Sequence, residues 1–267
     1  MLASLSIDAT AIRWWNRAAT AYHGRLYLNA PEQKILDRFG DRLGQMSMLD
    51  IGIGTGRTTH FFAYRAKSYV GVDYSNRMIE LTKQGTREHD TLQLDWADAR
   101  DLSRYRDGQF DFVMFSYNGL DYMHPTDRPK AIQEIRRVLR KGGHFFFSSH
   151  SLEALPVPAR PLPEFDWTRL MRSTARIAKT LVRNAKTWLV NRKIDLKDAR
   201  KRGWAFTPDG GENFSMPVAY VVPSYQVWQL QRYGFGEIEV MDAQGHRVTS
   251  VARPPKDGWI SYLAKAK

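Results

Sequence analysis

The stretch Met48-Leu49-Asp50-Ile51-Gly52-Ile53-Gly54-Thr55-Gly56 decides the reading of this chain. An apolar run carrying one acid ends in three glycines at alternate positions, and a helical pattern follows over Thr58 to Ala66. Glycine lets a backbone approach a ligand where a β-carbon would clash, and the first turn of a helix presents free N–H groups to it. The dinucleotide-binding pattern is G-x-G-x-x-G, whereas this one reads D-x-G-x-G-x-G and sets an acid inside the strand end. That arrangement suits a cationic amino group better than a pyrophosphate, which counts against a nicotinamide-dependent dehydrogenase.

Working outward, the next strand, Tyr69 to Val72, ends in Asp73-Tyr74-Ser75. An acid about 20 residues beyond such a loop can accept both hydroxyls of a ribose. At the following strand end, Asp98-Ala99-Arg100-Asp101-Leu102 offers a further carboxylate for an exocyclic amine of adenine. Each feature alone could be a strand-to-helix turn, a helix cap or a solvated turn acid. Three acids at three successive strand ends instead suggest a nucleoside site.

The wider pattern gives these motifs a frame. Ile12, Trp15, Ala19 and Tyr22 recur at helical spacing and a second periodic run covers Pro31 to Leu43, so residues 1–45 read as a helical cap. From 46 to 150, short apolar strands alternate with helices, the signature of βαβ units and a parallel sheet. Strands are expected at Met48–Ile51, Tyr69–Val72, Leu92–Leu94, Phe110–Phe115 and His144–Ser148, with a helix from Arg128 to Arg140 stopped by Lys141-Gly142-Gly143. Residues 151–216 break the alternation as a Pro-rich stretch and then a basic helical insertion. Over 217–267 the pattern resumes with a helix Ser224–Tyr233 and strands Phe235–Met241 and Trp259–Ala264, making seven strands.

With these motifs in place (LDIGIGTG, GVDYS, DARDL, FDFVMFSYNGLDY and IRRVLRKGGHFFFSS), the chain resembles the class I S-adenosylmethionine-dependent methyltransferases over roughly residues 46–150 and 217–267. The resemblance implies an α/β, Rossmann-like seven-stranded, mostly parallel sheet whose last strand is antiparallel, and S-adenosylmethionine as cofactor. It implies that Asp50, Gly52, Gly54 and Gly56 hold the methionine part, Asp73 with Tyr74 the ribose, and Asp98 with Ala99 the adenine, with Ser116 beside the cofactor.

The acceptor belongs at the carboxyl ends of the strands. Adenine-amine methyltransferases carry N/D-P-P-Y/F after the fourth strand; here Ser116-Tyr117-Asn118-Gly119 stands instead, which argues against a base-amine acceptor. The combination of SYNGLDY with Ser148-Ser149-His150 is similar to bacterial small-molecule and glycan-pathway methyltransferases, so O-methylation of a hydroxyl on a sugar or surface-polysaccharide intermediate, possible anionic character included, is the expectation. Methylation of tRNA or rRNA, or of another small metabolite, is the alternative, and a non-catalytic protein retaining the fold is a third. Tyr117, Asn118 and Tyr122 are the acceptor-binding candidates. His150 is the candidate general base because histidine titrates near neutral pH, with Asp121 and His124 next and a hydrogen-bonded loop histidine as the plain reading. Tyr22 is placed either over the cofactor or in the core. Asn118 and Asp121 invite a magnesium reading, but no further acids converge with them, so no metal is expected.

Composition sets the outer limits. Hydrophobic residues at 43% and charged residues at 25% indicate a folded globular chain. The absence of cysteine excludes disulfides, thiolate-bound zinc, iron–sulfur clusters and a cysteine nucleophile. With no long apolar run and no basic, apolar leader at the N-terminus, a cytoplasmic protein is expected. The net charge of +12 favours anionic partners, and Arg160 to Arg202 holds 13 Lys+Arg against 4 Asp+Glu. Within that stretch Leu170, Met171, Ile177, Ala178, Leu181, Val182, Trp188 and Leu189 form one helical stripe. The expectation is a lid over the acceptor, with peripheral contact of 166–202 with an acidic membrane, or with RNA phosphates, as alternatives.

Overall fold

The computed structural model describes residues 2–24, 26–167, 170–210, 214–251 and 258–267. Arg169, one of the basic residues counted above, lies outside them. The chain opens with α1 (Leu2–Tyr22) and α2 (Ala30–Leu43), and the sheet region follows as β1 (Ser47–Ile51), α3 (Thr59–Phe62), β2 (Ser68–Asp73), α4 (Asn76–Gly85), β3 (Leu92–Trp96), β4 (Phe110–Phe115), α5 (Arg128–Val138) and β5 (Leu139–Ser151). The insertion holds α6 (Leu170–Asn191), α7 (Leu196–Arg202) and β6 (Trp204–Pro208); β7 (Pro217–Val221), α8 (Pro223–Arg232), β8 (Phe235–Met241) and β9 (Trp259–Ala266) complete the chain.

The strands form one sheet in the order β3-β2-β1-β4-β5, with parallel pairing throughout that run. β9 runs antiparallel along β5 from His144↔Lys265 to His150↔Trp259, and β8 pairs antiparallel with the outer edge of β9. This is the expected Rossmann-like sheet with its last strand antiparallel. The strand count differs: among the described residues nine strands form rather than seven, because β6 and β7 make an antiparallel pair whose β7 joins the end of β5 at His150↔Tyr220 and Ser151↔Val221.

Parallel strands buried on both faces read as near-continuous apolar runs, and β4 is buried at all six positions. Alternate side chains feed two cores. Leu49, Ile51, Val70, Val72, Val113, Phe115, Phe145 and Phe147 pack on one face with Ala131, Ile132, Ile135 and Val138 of α5. Met48, Tyr69, Phe112, Met114 and Phe146 pack on the other with Ile35, Leu36, Phe39 and Leu43 of α2. α2 starts where it does because Asn29 and Glu32 form a capping box, each side chain accepting from the other's backbone N–H at 2.8–2.9 Å, with Pro31 in the first turn.

Several expected boundaries move, and the helix expected over Thr58 to Ala66 is the single turn Thr59–Phe62. α5 ends at Val138, and Arg140 to Gly143 already lie in β5, where Arg140 pairs with Asp111 and Gly142 takes φ +78. β5 also runs on to Ser151, so His150 sits inside a strand flanked on both sides and not in a loop beyond it. No helix among the described residues is long and apolar enough to cross a membrane.

Candidate active site

The carboxyl ends of β1, β2 and β4 open onto a cleft. Its floor is the glycine loop. Gly52 stands at φ +67, and a β-carbon there would meet the Phe115 ring at 2.9 Å. Gly54 stands at φ +57 with open space where a β-carbon would go, so the backbone itself faces the cleft. Its N–H donates to Asp73 Oδ2 at 3.0 Å, which fixes the loop against the second strand.

Three acids line the cleft: Asp50, Asp73 and Asp98. Asp50 is buried, and its Oδ2 accepts from Thr58 Oγ1 and from the Tyr69 hydroxyl, both at 2.6 Å. Burial pushes its pKa up to about 6 against those two hydrogen bonds. Asp73 is raised by burial to about 6 as well, opposed by N–H donation from Ser75 and Gly54. Asp98 is turned onto Arg100, whose Nε lies 3.0 Å from Oδ1. Ala99, Tyr74 and Ser116 also line the cleft with Gly52 and Gly54, whereas Gly56, at φ +86, does not and packs against Thr82.

The N-terminal helix roofs it. Ala11, Trp15 and Tyr22 of α1 line the cleft. The helix is tied down by Ser75 Oγ donating to Asn16 Oδ1 at 2.6 Å and by Thr55 Oγ1 donating to the Tyr22 carbonyl at 3.0 Å. Trp15 meets Tyr122 edge-on at 4.9 Å. Opposite them stands a group that the sequence reading missed. Glu32, fully buried, receives Arg57 Nη1 at 2.6 Å and the Ser116 hydroxyl. The Arg57 guanidinium lies 5.2 Å from the Tyr27 ring centre and 4.9 Å from that of Tyr117, and the two phenols touch at 3.1 Å. Burial lowers the Arg57 pKa, and the Glu32 carboxylate more than offsets it and holds the cation charged. The capping pattern Asn29-x-x-Glu32 and the position of Arg57 just after Gly56 were the available signals.

The candidate bases are arranged otherwise than expected. His150 is buried and does not line the cleft. Asp121 is fully buried and ion-paired to Arg128, so its carboxylate accepts: from the His150 backbone N–H at 2.6 Å, from Ser149 Oγ at 2.8 Å and from His150 Nδ1 at 2.9 Å. Nδ1 therefore carries the proton, and Nε2 faces Asn118 Nδ2, a donor, at 3.3 Å. The structure thus places His150 apart from the expected cofactor residues, its Nδ1–H held by Asp121 and its Nε2 beside Asn118. Burial pushes Asp121 upward, yet Arg128 and His150 outweigh it and keep its pKa below the usual carboxylate range, which unsuits it as a base. His124 turns away, its Nδ1 2.7 Å from Thr126 Oγ1 and its ring against Phe206 of β6. Of the acceptor candidates, Tyr117 and Tyr122 line the cleft, whereas Asn118 is buried beside His150 with its Oδ1 unpartnered. No described residue of 151–216 lines the cleft itself; Leu152, Leu155, Ala199 and Ala205 pack with Tyr122, which does.

Glycine loop, strand-end acids and sheet order together define a nucleoside-binding Rossmann-like enzyme core. Residues 48–143 match the family described as a methyltransferase domain. A demethylmenaquinone methyltransferase of Staphylococcus aureus (strain MRSA252) is 30% identical over 128 residues, 47% of this chain and 51% of that protein. A ubiquinone biosynthesis O-methyltransferase of Acinetobacter baylyi is 21% identical over 145 residues, 53% of this chain and 59% of that protein. The chain thus spans about half the length of the curated relatives it matches. The crystal structure of an S-adenosylmethionine-dependent methyltransferase from Mesorhizobium loti shares the fold, with a TM-score of 0.59 at 19% identity over 88% of this chain and 98% of that one. Residues 48–143 therefore match a methyltransferase domain in sequence, on a Rossmann-like fold of the kind that S-adenosylmethionine-dependent methyltransferases use.

Proposed function

We propose that this protein methylates an aromatic or quinone-type ring compound at the mouth of the cleft. Bound S-adenosylmethionine supplies an electrophilic methyl on a sulfonium, open to in-line attack by an aligned acceptor. The residues fit that cofactor. The buried Asp50 carboxylate suits the ammonium group, the open face of Gly54 leaves room for the methionine chain, and Asp73 can take the ribose hydroxyls. Asp98 and Ala99 stand where the adenine would lie.

One observation carries the acceptor reading. The rest of the cleft is walled by rings, Trp15, Tyr22, Tyr27, Tyr117 and Tyr122, and among the described lining residues there is no histidine. An alkyl hydroxyl needs a base to remove its proton before it attacks a methyl group. A ring hydroxyl of phenolic type ionises near 10, as tyrosine does, and needs far less help. Ring faces pack on aromatic walls, and the Arg57 cation 4.9 Å from the Tyr117 ring can favour a developing phenolate or enolate. The two curated relatives described above carry names set in menaquinone and ubiquinone chemistry, which supports the same class. This reading displaces a sugar hydroxyl. RNA rested on net charge, and the most basic segment contributes nothing to the cleft lining.

The test supplies the purified protein and S-adenosylmethionine with a reduced quinone, a simple catechol and a methyl glycoside, and follows S-adenosylhomocysteine and product mass. Methylation of a ring compound with an inert glycoside is expected. Methylation of the glycoside alone would overturn the reading.

A further inference from the structure

α6 is built inside out. In a helix packed on a domain the apolar stripe faces the core, and here it does not. The residues of α6 that are most buried are polar: Ser173 is 2% and Thr187 3% exposed, Asn184 and Asn191 hydrogen-bond the backbone of Arg160 and Val157 in the Pro-rich stretch, and the apolar Ile177 and Val190 beside them are only half-buried. Around the opposite side, Met171 is 85%, Val182 59% and Trp188 57% exposed, with Leu181 and Leu189 beside them. At 100° per residue, Met171, Val182 and Leu189 fall within about 20° of one another. Arg172, Arg176, Lys179 and Lys186 follow as an exposed band along one flank of that apolar strip. The helix contains no Asp or Glu.

We propose that α6 seats the protein on an anionic lipid surface. The apolar strip enters the boundary between headgroups and acyl chains while the basic band meets lipid phosphates. Charge chooses this occupant: an acidic bilayer complements the band along the whole helix, whereas a second copy would bring two segments of like charge together. The helix is about 33 Å long at 1.5 Å per residue, so it lies along the surface. It also carries too much charge to cross it. Arg183 is the exception among its basic residues, since it turns inward to the Gly210 carbonyl and the Phe214 ring. Downstream of α6, the β6–β7 pair joins β5 at His150 and Ser151, which links this surface to the sheet that forms the cleft. The inference concerns the surface alone and stands or falls apart from the acceptor's identity.

Flotation of the full-length protein with vesicles tests it, using phosphatidylglycerol mixed with phosphatidylcholine against phosphatidylcholine alone. The wild type is expected to float with the anionic vesicles, and to bind neutral ones at least about tenfold more weakly. A Val182→Glu/Leu189→Glu variant, checked by circular dichroism and by its S-adenosylmethionine affinity, should lose about tenfold or more of the anionic binding, as expected when two buried apolar side chains are replaced. Failure of the wild type to float, or equal flotation of the folded variant, overturns the proposal. So does a wild-type dimer that the same variant splits into monomers, which would make the strip a self-association surface.

Discussion

Replacing Asp121 by Asn separates a structural role from a chemical one. Asp121 accepts from Arg128, from Ser149 Oγ, and from both the backbone N–H and Nδ1 of His150, all without solvent. The substitution keeps volume and removes the charge. Arg128 then retains Gln226 Oε1 at 2.6 Å and the Leu120 carbonyl at 3.1 Å, both neutral, so a buried cation is left uncompensated. Breaking a buried pair in this way costs about 3–5 kcal/mol, a large share of the roughly 5–15 kcal/mol that holds a domain together. Urea unfolding followed by circular dichroism should register that loss. The carboxylate's folded pKa is depressed, so its contribution is complete above the ordinary carboxylate range. It fades as pH falls through the lower folded value. A stability loss below about 1 kcal/mol combined with collapsed turnover would refute the reasoning, because the carboxylate would then be acting in the chemistry.

His150→Gln should leave turnover within about threefold of wild type and its pH profile unchanged, since no step is assigned to Nε2; loss of the acidic limb, in which the rate rises with pH, would restore the histidine as base. Cofactor affinity should weaken as pH falls below about 6, where Asp50 and Asp73 begin to protonate, and calorimetry across pH 5–8 measures it. The sign for stability is opposite: both pKa values are raised by burial, so between roughly 4 and 6 the folded state holds more protons and the penalty of burying these acids eases as pH falls. Glu32→Gln should strand Arg57 at the cleft, costing about 3–5 kcal/mol of stability in urea and lowering turnover, while Glu32→Ala/Arg57→Ala should be the more stable of the two.

The alternation of strands and helices was legible because parallel strands leave long apolar runs: Phe110–Phe115 and Phe235–Met241 stand where the pattern puts them, end for end. The strand-end acids were legible for the same reason, since Asp50 and Asp73 stand in the last two residues of β1 and β2 and Asp98 two residues beyond β3. What escaped the sequence depended on pairing across distance. β6 ends in Pro208 beside Pro217 and lies in a basic stretch, so its pairing with β7 leaves little trace in composition. The Glu32–Arg57 pair joins residues 25 apart on different elements. The burial of His150 escaped as well, because β5 continues past Ser148 to pair with both β7 and β9 at a position that reads as a strand end. For α6, periodicity reveals an apolar stripe but says nothing of which stripe the body takes. Ser173, Asn184, Thr187 and Asn191 take that place by hydrogen-bonding and burial.

The central claim is that the cleft between Asp50 and Asp73 holds S-adenosylmethionine, and calorimetric titration of the wild type and of Asp73→Ala tests it most directly. Asp73 can accept two ribose hydroxyls, and charge-assisted bonds of this kind contribute about 1.5–3 kcal/mol each. The wild type should therefore bind one equivalent, and the folded variant should bind at least about a hundredfold more weakly. A wild type that binds no cofactor, or a variant with unchanged affinity, would contradict the account.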